Sequence, residues 1–177
     1  MSKFTFQFVT PILLFFFMLF DGQMTQVFAG IFPGEITPVS HLLLIFLIYS
    51  TTQHKSNYIL ILSALIGIIY DSYYLGIYGI ATLLLPLIVL FVYNLQSAIF
   101  TSWWTRLFAV IIVVTIFEAA SFAISTLFGF TNTNPLQFVV YQLAPTLLLN
   151  SIYIILLQVP INMMYRLQKG KLNYKRN

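Results

Sequence analysis

Gly67-Ile-Ile-Tyr-Asp71-Ser-Tyr-Tyr-Leu-Gly76-Ile-Tyr-Gly79 is the stretch on which the reading of this chain turns. It places one carboxylate near the end of an apolar run that starts at Tyr58, and a second apolar run follows from Ile80. As a helix at 1.5 Å per residue, the first run lifts Asp71 roughly 22 Å from its start. A carboxylate at the centre of a bilayer costs ~2.5–3.5 kcal/mol on insertion scales, so one this deep needs a partner, a proton or water. Ser63, Gly67 and Asp71 recur every four residues and so share one helix face. Small residues at that spacing let another helix approach closely and bring polar groups to the acid. Two readings of Asp71 stay open on these grounds: a packing or partner determinant, or a residue that caps or snorkels at the membrane interface.

The surroundings of that stretch define a membrane protein. Apolar residues make up 60% of the 177 and charged residues only 7%, with a mean hydropathy of +0.94. Soluble domains carry roughly 25% charged residues because their outside faces water. Here the apolar side faces outward. The runs predict a single all-α integral membrane domain of six transmembrane helices, at about 4–28, 39–53, 58–73, 80–98, 107–128 and 136–165. Spans of ~20 residues use nearly the whole length, which excludes a soluble catalytic domain.

Charge orients those spans. Lys3 precedes the first, Lys55 lies between the second and third, and Arg106 opens the fifth. Arg166, Lys169, Lys171, Lys175 and Arg176 follow the sixth in a basic tail, 166–177. All 8 basic residues thus fall at junctions on one side, which the Lys/Arg bias assigns to the cytoplasm together with both termini. The chain is expected to cross its membrane several times. The tail would attract anionic lipid at ~1 kcal/mol per cation, so the formal charge of +4 reflects topology and not nucleic-acid binding. With no Cys there is no disulfide, thiolate nucleophile or Cys-based metal site. The first run is long for a signal peptide, and its removal would break the charge alternation, so it is read as a retained helix.

Other polar residues interrupt the spans. Glu118 lies near the middle of span five, with Ser121 and Ser125 continuing its face and Ala119/Ala123 beside it. Span six carries Gln142, Thr146, Asn150 and Tyr153. Its Pro145 lacks a backbone donor and frees the carbonyl of Tyr141, which invites a bend. These rows are expected to face the interior and hydrogen-bond one another, at about 0.6 kcal/mol per contact, in a structural role. Asp21, near the outer end of span one, is read as solvated at the interface. His41 and His54 flank span two, too far apart to share a metal, and are read as interface residues. Tyr70, Tyr73, Tyr74 and Tyr78 read as an aromatic belt. No metalloprotease, nucleophile-elbow or phosphate-loop motif occurs, and no cofactor is implied.

The span-three stretch resembles the MreD family, bacterial membrane proteins of the cell-shape machinery. Pro38 opening span two and the Pro145-Thr146…Asn150…Pro160 pattern add to the likeness. The resemblance implies a non-enzymatic protein that associates with MreC. Through MreC or directly, it would meet the cell-wall synthases of the elongation complex, a SEDS glycosyltransferase and a class B penicillin-binding protein, and help organise peptidoglycan synthesis. It carries over Gly67, Asp71, Gly76 and Gly79 as packing or partner-contact residues. The alternative is the substrate-binding subunit of an energy-coupling-factor vitamin transporter, similar in size, span number and, on that reading, fold. Those proteins carry an Ala-x-x-x-Ala face in span one, where this chain has only Ala29, and its outer loops are short.

Single cysteines at positions 55 and 106 of this cysteine-free chain should both be shielded from an impermeant thiol reagent in intact cells. Labelling of one and not the other would break the proposed alternation.

Overall fold

Long apolar runs in lipid must satisfy their backbone internally, and helices do so within one segment. The computed structural model describes residues 3–32, 34–76 and 79–164, and among these there is no strand. The chain runs α1 (Lys3–Ile31), α2 (Leu42–Ser50), α3 (Ser56–Tyr70), α4 (Ile80–Asn94), α5 (Gln96–Ile99), α6 (Trp103–Leu127), α7 (Pro135–Gln137) and α8 (Ala144–Met164). Wider π-helical turns, Asp71–Leu75 and Phe138–Leu143, extend α3 and lead into α8. The basic tail with Lys169, Lys171, Lys175 and Arg176 lies outside the described residues, as does Tyr78.

Among the described residues four segments are long and apolar enough to cross a membrane: Phe8–Ile31, Ser56–Tyr74, Trp103–Leu127 and Pro135–Met163. Their outward faces are apolar, including Phe8 and Ile12 on α1, Ile61 on α3, Phe108 on α6 and Leu156 on α8. Ile80–Asn94 is a shorter apolar helix.

The fourth expected helix is shorter than predicted, and the second differs in kind. A helix was expected over 39–53; instead residues 36–41 are non-helical and α2 has only nine residues. All nine are buried. Pro38 supplies the local reason, because it lacks an N–H and pushes Thr37 away from helical backbone. The amphipathic pattern is absent from α2 because every side of it meets protein.

Helices α3 and α4 form the closest pair. Gly67 makes this possible, since a Cβ there would lie 2.6 Å from Thr82 Cα and 2.7 Å from the Ala81 carbonyl oxygen. The turn between them closes with Gly76 at φ 64° and Gly79 at φ 121°, the latter a backbone shape that a side chain would strain. In the last segment, the carbonyl freed by Pro145 is not left open: Thr37 N–H donates to Tyr141 O at 2.9 Å.

Candidate functional site

The chain has four acids, and only Glu35 is exposed. Asp21, Asp71 and Glu118 retain 4%, 0% and 5% exposure, so their hydrogen bonds define the polar interior. Asp21 stands on α1, Asp71 in the π-helical turn that follows α3, and Glu118 on α6.

Asp71 holds the first turn of α4. Its Oδ1 accepts from Ala81 N–H at 2.7 Å, and its Oδ2 accepts from Gly79 N–H (2.8 Å), Thr82 N–H (3.0 Å) and the Thr82 hydroxyl (2.6 Å). Unpaired amides and the positive end of the helix dipole make that turn a natural anion site. Here the chain's own carboxylate fills it. Gly67 admits the approaching turn, while Gly76 and Gly79 shape the chain that returns to Asp71.

Asp21 does the same for α2, which corrects its reading as a solvated interface residue. Its Oδ1 accepts from the Ser40 hydroxyl (2.5 Å) and Leu42 N–H (2.8 Å), and its Oδ2 accepts from Leu43 N–H (2.7 Å). The non-helical lead-in is satisfied just as fully. Val39 N–H donates to Thr146 Oγ1 (2.9 Å), Ser40 N–H to Thr25 Oγ1 (3.1 Å) and His41 N–H to Asn150 Oδ1 (2.9 Å). Asn150 in turn donates to the Val39 and Thr146 carbonyls. From Thr37 to Leu43, every backbone donor has a partner on α1 or in the last segment.

Glu118 differs from the two aspartates. Its Oε1 lies 2.6 Å from His41 Nε2, and its Oε2 accepts from Gln142 Nε2 at 2.8 Å. Among the described residues it takes no backbone donor. His41 is therefore buried in an ion-pair geometry, with its ring edge on Phe117, and is not an interface residue. His54 is likewise buried, 2.8 Å from Thr10 Oγ1, and burial holds its imidazole below the usual range. Sequence separations of 77 and 44 residues hide both pairings from any local pattern.

The tyrosine cluster also divides. Tyr73 is exposed as an interface ring would be, whereas the Tyr74 hydroxyl turns inward and donates to the Met18 carbonyl at 2.8 Å. Beside Glu118, a cleft of about 290 Å³ opens between α6 and the last segment. Ser121, Ser125 and Gln142 line it together with the ring of Tyr70. At the other end of α6, Arg106 donates to Asn162 Oδ1 at 2.5 Å and ties the start of α6 to the end of α8. Among the described residues no three His, Asp or Glu side chains could hold a metal ion.

Two of the three buried acids are thus spent on fastening the starts of helices. The family model for the rod shape-determining protein MreD matches residues 2–168. The chain belongs to the MreD family. A relative, the cell shape-determining protein MreD of Streptococcus pneumoniae, is 35% identical over 147 residues, covering 83% of this chain and 89% of that one. No solved structure matches the chain. The family match supports the shape-determining reading and leaves the transporter-subunit likeness without support. All three buried acids fall within the matched residues.

Asp71→Ala should destabilise the protein by about 3–5 kcal/mol, because it strands buried amides at the start of α4. Asp71→Asn, which keeps an acceptor oxygen, should cost about 1–2 kcal/mol. Denaturant unfolding in detergent, followed by circular dichroism, checks both; equal stability of Asp71→Ala and the unaltered protein would contradict the assignment.

Proposed function

We propose that this chain is a non-enzymatic membrane scaffold of the bacterial cell-shape machinery, which binds MreC and helps organise peptidoglycan synthesis. The observation that carries the reading is the family match over residues 2–168. The interior is consistent with it, since Asp21 and Asp71 are committed to backbone amides. The cell-wall synthases of the elongation complex, a SEDS glycosyltransferase and a class B penicillin-binding protein, would be reached through MreC or directly.

In this reading the chain crosses the plasma membrane six times with both termini in the cytoplasm. The second crossing is the unusual one. Six non-helical residues at no more than ~3.3 Å each and nine helical residues at 1.5 Å reach at most roughly 33 Å, against a hydrocarbon core of ~30 Å. The tail residues Lys169, Lys171, Lys175 and Arg176 would lie against anionic headgroups on the cytoplasmic side. Gly67, Asp71, Gly76 and Gly79 act in this picture by fixing the shape that partners meet, with Asp71 itself out of their reach.

Affinity purification of the tagged chain from native membranes tests the proposal. MreC should be recovered with it after crosslinking. Recovery of a transporter ATPase module in place of MreC would overturn the reading in favour of the vitamin-transporter alternative.

A further inference from the structure

The cleft beside Glu118 is the part of the interior that the helix-fastening network leaves unused. We propose that it is a binding site for an alkylammonium group, of the kind carried by an ethanolamine lipid headgroup or by a water-borne amine.

The acceptors come first. Among the described residues Asp71 accepts four hydrogen bonds and Asp21 three, mostly from backbone amides, whereas Glu118 accepts from two side chains. A carboxylate has about four acceptor positions, so Glu118, which lines the cleft, keeps acceptor capacity beyond its two bonds. Ser121 adds a second unused group: its Oγ is buried and has no hydrogen-bond partner. Buried polar atoms in a native protein are nearly always satisfied, so a ligand or water is expected there. An ammonium group brings three donors and no acceptor, which matches a carboxylate and a hydroxyl oxygen.

The walls point to the same charge. No Lys or Arg lines the cleft, so an anion would meet the Glu118 carboxylate with no Lys or Arg to offset it. Tyr70, Phe117 and Phe122 are among the lining residues, and aromatic side chains tolerate a cation better than an anion. A bare metal ion fits poorly, because only one acidic side chain reaches the cavity. A volume of about 290 Å³ suits a headgroup-sized ligand.

The rim bears on the source of the amine. Leu127, Phe128, Phe130 and Leu136 are 83%, 71%, 53% and 69% exposed, and they flank the loop whose Thr131 and Thr133 form the mouth. A polar pocket framed by exposed apolar side chains is suited to a lipid, with its headgroup inside and its chains on the rim. The inference stands on the cleft alone and does not depend on MreC as a partner.

Thermal unfolding of the full-length, delipidated protein in detergent tests it. The probes are ethanolamine, dioleoylphosphatidylethanolamine and, as a headgroup control, dioleoylphosphatidylglycerol. An amine probe at tenfold excess over its Kd should raise Tm by about 3–6 °C, and the glycerol lipid should not. A response to free ethanolamine identifies a water-borne amine, and a response confined to the lipid identifies a headgroup; both support the ammonium site. Ser125→Phe should fill the cleft and abolish the response, while Ser121→Ala, which only removes a hydroxyl, should weaken binding roughly fivefold. The proposal is overturned if no amine shifts Tm. It is equally overturned if both lipids act alike, or if Ser121→Ala, folded by circular dichroism, binds with unchanged affinity.

Discussion

The structure depends on how the backbone of residues 37–43 is satisfied inside an apolar bundle. A helix carries its own hydrogen bonds into lipid, but a non-helical segment cannot. This one survives because Thr146, Thr25, Asn150 and Asp21 accept from its amides, and the Tyr141 carbonyl completes the set. Those partners come from α1 and the last segment, so the short helix α2 is fastened to both ends of the chain's course. Each unsatisfied amide in such surroundings would cost several kcal/mol, which makes the arrangement nearly all-or-none.

A single device recurs around it. Asp21 caps α2 and Asp71 caps α4, each from the helix before, while Glu118 joins α6 to His41 and Gln142. In many membrane proteins a broken helix leaves its amides free for a substrate or an ion. Here two of the acids occupy those amides internally. Each of these two helix starts is thereby tied to the segment before it. Glu118 is the exception, held by side chains and bordering the cleft.

Much of this was legible in the residues. The apolar runs mark the helices, and the depth of Asp71 demands a partner, which turns out to be the first turn of α4 a few residues on. The carbonyl freed by Pro145 does find a donor, though one from Thr37, over a hundred residues away in sequence. Of the two polar rows, Glu118 on α6 and Gln142 in the turn before α8 bond each other, whereas Thr146 and Asn150 turn to the backbone of Val39 and His41. What stayed hidden were the long-range pairs. Asp21 looked solvated because its donors lie beyond a loop, and His41 looked interfacial because Glu118 is 77 residues away. The run 39–53 read as a helix because its apolar residues cannot show that Thr146 and Asn150 accept from the backbone before it.

Hydrogen exchange of the backbone amides from Val39 to Leu43, read by mass spectrometry in detergent or nanodiscs, tests the central claim most directly. If side chains hold this non-helical stretch, its amides exchange as slowly as those of the interior of α6. Exchange as fast as that of the exposed loop around Thr131–Asn134 would contradict the account.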